Sequence, residues 1–273
     1  MNARPAGNAQ VSGSIPEIYD KYLVPLIFEP YAIDLAQRAG ALPITNVLEL
    51  AAGTGVLTRR LAMALPGSVL IIATDLCQPM LDLAASVGTS RPVEWRQADA
   101  LALPFDESSF DAVLCQFGVM FFPDRARAFA EVRRVLRRGG VFIFNVWDRI
   151  EENDFAFTVT EALARVFPDD PPRFIARLPH GYHDTAMIRR DLSSGGFSSD
   201  PEVVTLAARS LAAAAHIPAV AYCQGTQLRD EIEARDPAKL TLATAAAEAA
   251  LAERFGSAAV DARIQAHVVS VDR

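Results

Sequence analysis

A turn of small residues follows an apolar run near residue 50, and its composition suits ligand binding. In the segment Val47–Thr58, a strand-like run leads through Gly53 and Gly55 into a helix-like stretch. Such a turn lets a ligand approach the backbone closely and meet the N–H groups of a helix N-terminus. Glu49 lies within the run, where a buried carboxylate needs either backbone donors from the turn or a cation. A ligand site is therefore predicted here, with a turn that binds nothing as the alternative for the Gly-x-Gly alone.

Two further carboxylates follow the next apolar runs. Asp75 ends the second run about 20 residues beyond Gly55, where nucleotide-binding folds hold a ribose diol. Asp99-Ala100 closes the third run, where a carboxylate can accept from an exocyclic amine while the Ala100 N–H donates to a ring nitrogen. Thr58 stands where the dinucleotide motif Gly-x-Gly-x-x-Gly has its third glycine, which weakens an NAD or FAD interpretation. The spacing thus indicates a nucleoside site.

Short apolar runs alternate with helix-like stretches, and this alternation predicts the elements that position these residues. It is typical of a doubly wound α/β unit, a mostly parallel sheet with helices on both faces and right-handed crossovers. The predicted strands are Asn46–Leu50, Val69–Thr74, Val93–Arg96, Phe110–Cys115, Val141–Val146, Glu202–Ala208 and Arg263–Val271, the last suited to an antiparallel or edge position. The first predicted helix contains Leu57, Leu61 and Leu65 and ends at Pro66-Gly67, and the second begins at Pro79. A third, Asp124–Arg138, is ended by Gly139-Gly140. The remaining predicted helices are Glu151–Val166, Leu211–Tyr222 and Leu240–Phe255.

The motifs occur in the order and spacing of a known family. Glu49–Gly55, the Asp75 strand end, Asp99-Ala100 and Leu103–Asp111 together resemble class I S-adenosylmethionine-dependent methyltransferases. The closest branch is the small-molecule one that includes ubiquinone and menaquinone biosynthesis enzymes, and the resemblance covers roughly Val47–Trp147. The family usually has Gly where Ala51 stands and often Cys at Ala52, a variation that we do not interpret as loss of binding.

The resemblance implies a fold and its organisation. It implies an α/β, doubly wound, seven-stranded, mostly parallel sheet of the Rossmann-like methyltransferase type. Residues 1–40 would form an N-terminal helical cover, in which Ile15–Gly40 is helix-prone but broken by Pro25 and Pro30. Residues 41–150 would form the cofactor-binding core. Residues 151–273 would add helical lid insertions, the Pro-rich loop Pro168–Pro179 and the last two strands of the same sheet.

The resemblance also implies S-adenosylmethionine as the cofactor, S-adenosylhomocysteine as its product, and a set of binding residues. By this resemblance Ala51, Ala52, Gly53 and Gly55 would line the methionine and ribose end, and Glu49 is counted among the cofactor-binding residues. Asp75 would bind both ribose hydroxyls. Leu76 and Met80 would pack on the adenine, Asp99 and Ala100 would read its edge, and Gln116 would face the sulfonium. Tyr19 of the Tyr19-Asp20 pair would contact the cofactor from the cover, with Tyr22 as the next choice. Core packing for Leu76 and Met80, a plain strand end for Gln116 and a hydrophobic staple for Tyr19 are the alternatives.

Methyl transfer from a sulfonium needs few dedicated side chains. The protein must hold donor and acceptor in line and exclude water, and it needs a base only if the acceptor loses a proton. The catalytic residue is unknown from the sequence; His180 and His183 are weak candidates as a base or, with Asp184, as metal ligands. Loop histidines bonded to backbone or solvent are the simpler interpretation, and His216 and His267 are expected to be structural.

Composition bounds the function. The 273 residues are 51% hydrophobic and 22% charged, which excludes a disordered or collagen-like chain. With 33 acidic against 26 basic residues the net charge is −7, which disfavours nucleic acid. Gln116-Phe-Gly-Val replaces the Asn/Asp-Pro-Pro-aromatic run of base-methylating enzymes, and no cysteine follows a proline. The Ala- and Leu-rich helices after the fifth and sixth strands instead favour a small or lipophilic organic acceptor, with ordinary helix packing as the alternative explanation.

The sequence also predicts the cellular compartment and the partners of the protein. Cys77, Cys115 and Cys223 form neither a disulfide framework nor a zinc motif. Met1–Pro16 lacks the apolar run of a signal peptide, and no window approaches the ~18 apolar residues of a spanning helix. We expect a cytoplasmic protein with no membrane partner, and the sequence leaves a homodimer open. A non-catalytic nucleoside-binding regulatory module is the alternative function, and a dinucleotide oxidoreductase is the third.

Overall fold

Seven strands form one sheet in a computed structural model that describes residues 14–273. The strands are β1 (Asn46–Leu50), β2 (Leu70–Asp75), β3 (Glu94–Gln97), β4 (Phe110–Gln116), β5 (Leu136–Trp147), β6 (Glu202–Ala212) and β7 (Val260–Asp272). Their order is β3-β2-β1-β4-β5-β7-β6, in which β1 to β5 pair in parallel and β7 runs antiparallel between β5 and β6. The predicted sheet is confirmed, and β7 is antiparallel but internal, since β6 takes the edge. Residues 1–13, and with them the first part of the predicted cover and most of Met1–Pro16, lie outside the described residues.

Eleven α-helices in the described part of the chain surround this sheet. They are α1 (Ile15–Ile18), α2 (Glu29–Gly40), α3 (Val56–Ala64), α4 (Gln78–Val87), α5 (Arg125–Val135), α6 (Asp154–Val166), α7 (Phe174–Arg177), α8 (Thr185–Ser194), α9 (His216–Gln224), α10 (Leu228–Arg235) and α11 (Leu240–Phe255). The apolar positions spaced along α3 and α5, such as Leu57 and Phe129, are fully buried. None of the described helices combines the length and apolarity needed to cross a membrane.

The predicted helix breaks at Pro25 and Pro30 do not occur. A π-helical segment, Tyr19–Phe28, continues directly from α1 into α2 and contains Pro25. Pro30 stands in the first turn of α2, where a backbone N–H has no helical partner to lose. The π-helical segment accommodates Pro25 and the first turn of α2 accommodates Pro30, so the helical cover is continuous from Ile15 to Gly40.

The predicted helix Asp124–Arg138 is too long. It ends at Val135, because Leu136 turns to the extended conformation, is fully buried and pairs with Phe110 on β4. Regular pairing resumes only at Val141 with Ala112, so the intervening residues bulge out of β5. The glycine pair therefore shapes a bulge within a strand and does not end a helix.

Two later elements also differ from prediction. Leu211 and Ala212 were expected to begin a helix but extend β6, because β7 offers Asp261 and Val260 as pairing partners. The Pro-rich loop Pro168–Pro179 contains the short helix α7, whose Phe174 and Ile175 are buried. In both places tertiary partners decide the local structure.

The sheet brings the carboxyl ends of its parallel strands together at one edge. The residues that follow β1, β2 and β4 therefore meet there, as in other doubly wound sheets. Beneath this edge β5 packs on α5 through aromatic rings, with Phe129 and Phe144 centroids 5.8 Å apart and Phe142 and Phe144 4.7 Å apart. This close packing gives the edge a rigid support.

Candidate functional site

The turn after β1 uses backbone conformations that most residues avoid. Ala51, Gly53 and Gly55 have φ of 52°, 55° and 83°, all in the left-handed region. For Ala51 this conformation costs roughly 1–2 kcal/mol, whereas glycine adopts it freely. Gly118, after β4, lies against Ala51, since a Cβ on Gly118 would be 2.5 Å from the Ala51 Cβ. The departure from the family pattern at Ala51 is therefore accommodated by a glycine on the neighbouring strand end.

Asp75 holds this turn from the end of β2. Its Oδ2 accepts from the Gly53 N–H at 2.8 Å, and its Oδ1 accepts from the Cys77 N–H at 2.8 Å. Burial raises the pKa of Asp75 above its ordinary value, against the lowering effect of these backbone donors. A carboxylate oxygen has a second lone pair, so both oxygens can still accept from a ligand. Asp75 thus positions the turn and faces the cavity at the same time.

Glu49 lies behind the turn and is only 1% exposed. Its Oε2 accepts from the Thr58 hydroxyl at 2.6 Å, and burial raises the pKa of Glu49 to about 8. The donor is thus a side-chain hydroxyl on α3, where backbone donors from the turn or a cation were expected. Thr58, the residue that departs from the dinucleotide motif, is the one that supplies it. Glu49 therefore positions α3 against β1.

A cavity of about 690 Å³ opens at this edge of the sheet, a size usual for ligand pockets. Among the residues predicted from the sequence, those lining it are Tyr19, Ala51, Gly53, Asp75, Leu76, Met80, Asp99, Ala100, Gln116 and His180. Those that do not line it are Glu49, Ala52, Gly55 and His183. Sequence reasoning missed the lining residues Phe28, Phe117, Trp147, Phe174, Tyr222 and Asp230. A usable signal existed for two of them, because Phe117 directly follows β4 and Trp147 ends β5.

Tyr19 reaches the turn from the helical cover. Its hydroxyl would be 4.0 Å from a Cβ built on Gly53, and its ring packs on Phe28 with centroids 5.3 Å apart. Burial, with Asp75 nearby, raises the pKa of Tyr19, so its hydroxyl stays protonated and can donate. Tyr22, the second choice, does not line the cavity.

Gln116 presents a polar atom without a partner. The side chain is 8% exposed and lines the cavity, and its Oε1 is buried with no hydrogen bond to any described residue. An unsatisfied buried acceptor costs about 1–3 kcal/mol, which a donor on a bound ligand would recover. This unpaired oxygen is the clearest sign that the cavity takes a polar ligand.

Aromatic rings form the wall next to Gln116. The Phe117 and Trp147 rings are stacked with centroids 3.8 Å apart and an interplanar angle of 8°, and Phe28 lies 5.5 Å from Phe117. Trp147 in turn lies 5.9 Å from the His180 ring. These contacts run from the turn side of the cavity to the residues that follow β5.

The two candidate histidines have different environments. His180 is 5% exposed and its Nδ1 lies 2.8 Å from the Asp148 carbonyl oxygen, while burial lowers the pKa of His180 to about 4. His183 bonds through Nδ1 to the His180 carbonyl at 2.9 Å and lies off the cavity. Asp184 caps α8 by accepting from the Ala186 N–H. No group of three metal-ligating side chains is found over residues 14–273, so the histidine-aspartate metal alternative finds no support there.

Comparison with known proteins shows what the core of the chain is similar to. Residues 48–144 match the family described as a methyltransferase domain. The chain is 35% identical over 139 residues to demethylmenaquinone methyltransferase of Thermus thermophilus, covering 50% of this chain and 61% of that protein. It is 24% identical over 204 residues to the ubiquinone/menaquinone biosynthesis C-methyltransferase of Teredinibacter turnerae, covering 70% of this chain and 77% of that protein. The resemblance to the quinone-biosynthesis branch of class I methyltransferases is thereby confirmed.

Solved structures agree on the fold. Phosphoethanolamine N-methyltransferase 2 of Haemonchus contortus, solved with phosphomonomethylethanolamine and S-adenosylhomocysteine, superposes with a TM-score of 0.55 at 15% identity, over 89% of this chain and 52% of that one. The sheet therefore has the Rossmann-like fold of that structure. The chain spans about half the length of the curated relatives that it matches at the higher identities. None of these comparisons supports the non-catalytic alternative.

Proposed function

We propose that this protein transfers a methyl group from S-adenosylmethionine to a small organic acceptor by in-line displacement. The observation that carries the proposal is the cavity in which Asp75, the left-handed turn and the unpaired Gln116 oxygen face one ligand space. When bound, S-adenosylmethionine supplies an electrophilic methyl group on a sulfonium centre. The matched domain family and the named relatives support the same activity.

The residues of the cavity fit this ligand. Asp75 would accept from the ribose hydroxyls, while Leu76, which is 67% exposed at the cavity mouth, would cover the adenine with Met80. Asp99 and the Ala100 N–H would read the adenine edge. Exposed apolar side chains such as Leu76 are costly in water, and covering one by a planar base recovers that cost.

The remaining lining residues suit the acceptor. Their rings exclude water and limit the orientations open to a bound molecule, which are the main contributions that an in-line transfer needs. Phe174 and Tyr222 come from the segments after β5, so these segments would act as the lid that selects the acceptor. We propose a small molecule as the acceptor and the cytoplasm as the compartment of the protein. The net negative charge of the chain argues against nucleic acid as the acceptor.

Calorimetry with S-adenosylhomocysteine tests the proposal. The wild-type protein should bind it, and Asp75→Asn should bind about tenfold or more weakly, because a charged acceptor of the ribose hydroxyls is lost. Asp82→Asn, a change to a carboxylate on α4 that bonds only to Gln78, is the matched control and should leave affinity unchanged. Absence of binding to the wild type, or equal affinity in Asp75→Asn, would overturn the proposal.

A further inference from the structure

The part of the cavity that the bound cofactor would leave free indicates which kind of acceptor the protein takes. Of the residues that line the cavity, we assign Phe28, Trp147, Phe174, His180 and Tyr222 to this part. Its polar groups are few, and each can be assigned a proton state from its surroundings. The inference drawn from them rests on the proposed function.

His180 is the only one of these groups with a free acceptor nitrogen. A carbonyl oxygen cannot donate, so the 2.8 Å contact with the Asp148 carbonyl requires the proton to lie on Nδ1. Nε2 then carries a lone pair, and no described residue bonds to it. The ring lines the cavity, so Nε2 is the nitrogen left for a bound molecule.

Two other polar side chains of the lining, those of Asn153 and Tyr222, cannot accept a proton in this way. Asn153 also lines the cavity, but its Nδ2 donates to the Arg149 and Gln265 carbonyls and its Oδ1 accepts from the Gln265 N–H. Burial raises the pKa of Tyr222, so its hydroxyl stays protonated and can donate to a ligand but cannot remove a proton from it. His183 lies off the cavity.

We propose that His180 is the general base for methyl transfer to the hydroxyl group of an uncharged, ring-bearing acceptor. The acceptor oxygen forms a bond to the methyl carbon, the carbon–sulfur bond breaks and its electron pair stays on the sulfur. The hydroxyl proton passes to His180 Nε2 and later to water. Charge is conserved, because the positive charge of the sulfonium ends on the imidazolium and then on the solvent.

A weak base is sufficient for a hydroxyl. Burial lowers the pKa of His180 to about 4, which keeps the ring neutral and its lone pair available at neutral pH. A hydroxyl oxygen that is gaining a methyl group becomes strongly acidic, so even this base can take its proton as the bond forms. A neutral amine needs no base for the attack, so the presence of His180 favours oxygen over nitrogen.

The walls favour a neutral ring. Phe28, Phe117 and Trp147 present stacked or tilted faces on which a planar acceptor can pack. The carboxylates of Asp75, Asp99 and Asp230 line the same cavity and repel an acceptor that carries a carboxylate or phosphate. The geometry thus selects against anionic acceptors.

Turnover with paired probes tests the inference. Methylparaben is an uncharged phenol, its free acid differs by one carboxylate, and aniline offers nitrogen in place of oxygen. With labelled S-adenosylmethionine, the wild type should methylate the methylparaben hydroxyl faster than either of the other two. His180→Asn keeps an amide to bond the Asp148 carbonyl and should lower kcat about 10²–10⁴-fold. His216→Asn, at an exposed histidine that begins α9 and does not line the cavity, is the matched control and should leave kcat unchanged.

Two readouts do not depend on turnover. Calorimetric titration of methylparaben into the protein loaded with S-adenosylhomocysteine should show affinity about tenfold weaker in His180→Asn. Nitrogen NMR of the His180 ring should show the proton on Nδ1. If His180→Asn fails to bind S-adenosylhomocysteine, His180→Gln replaces it in every measurement.

The outcomes separate the two proposals. Failure of the wild type to bind S-adenosylhomocysteine removes the proposed function itself. With that binding intact, the inference about His180 is overturned by any of four results: no methylation of methylparaben, preference for the free acid or aniline, full turnover in the His180 variants, or a proton on Nε2.

Discussion

At the scale of single residues, the buried carboxylate of Glu49 makes stability depend on pH. In the folded protein burial raises the pKa of Glu49 to about 8 from its ordinary value of 4.5. A group with a raised folded pKa contributes stability that is fully present below the unfolded pKa and is lost as pH rises through the folded pKa. The relevant window therefore lies between the two values.

We predict that Glu49→Gln removes this dependence. At about 1.4 kcal/mol per pKa unit, the free energy of unfolding of the wild type should fall by a few kcal/mol from about pH 5 to about pH 8 relative to the variant. The Gln carbonyl can still accept from the Thr58 hydroxyl, so the fold should be kept. Urea denaturation at both pH values measures the difference. Glu94→Gln, an exposed change on β3, is the control, and equal pH dependence in wild type and Glu49→Gln would contradict the prediction.

At the scale of elements, the loops that follow β1 and β4 contact each other at Ala51 and Gly118. A Cβ on Gly118 would be 2.5 Å from the Ala51 Cβ and 2.6 Å from the Cys115 Sγ. The loop after β4 can therefore approach the loop after β1 only because one of the two positions is glycine. In this chain the glycine is at Gly118, and Ala51 takes the strained conformation.

A double-mutant cycle tests this coupling. We predict that Gly118→Ala lowers the free energy of unfolding by about 1–3 kcal/mol through overpacking. Ala51→Gly should be neutral or stabilising by about 1 kcal/mol. Glycine removes the cost of the left-handed conformation, but it also loses more chain entropy on folding than alanine does. In the Ala51→Gly background, Gly118→Ala should cost less, though not nothing, because Cys115 remains.

The control for the cycle is Gly67→Ala, at a glycine with no atom within 4 Å of the added Cβ. Denaturant unfolding of the four proteins gives the interaction free energy. Strict additivity of the two changes would show that the strand ends are not in contact as described.

At the scale of the whole molecule, the sheet joins the regions before and after residue 151. β7 pairs with β5 from Val141 to Trp147 and with the whole of β6. Helix α11 is tied to α6 as well, because Arg254 donates to Thr158 and Asp154. The strands β6 and β7, which follow residue 151, thus share one sheet with β1 to β5, while the division into three regions remains a prediction.

We predict a single cooperative unfolding transition. Trp95 on β3 and Trp147 at the end of β5 are the two tryptophans of the chain, and they lie in different parts of the sheet. Fluorescence of Trp147→Phe and Trp95→Phe follows each site separately, and the two midpoints should coincide. Under the proposed function, S-adenosylhomocysteine should raise both midpoints together. Separate transitions would indicate that the β3 edge and the β5 part of the sheet unfold independently.

The sequence alone determined the residues whose role is local. The apolar runs predicted all seven strands. The order of Asp75 and Asp99 along the chain predicted that both reach one cavity, because parallel strands bring their carboxyl ends to one edge. The sequence-based prediction of helices failed where a distant pairing partner decides the local structure. Leu136 and Leu211 were predicted to be helical, but they pair with Phe110 and Asp261 in the sheet.

Only the tertiary structure decided which side chains face the cavity. Glu49 and Gly55 belong to the motif by spacing, yet the fold places both behind the cavity surface, and it selects His180 over His183 although they lie three residues apart. The cavity lining joins Phe28, Trp147 and Tyr222 from three distant segments. Spacing along a strand or turn is fixed by local geometry, whereas facing a shared cavity depends on packing between segments with no local signal in the chain.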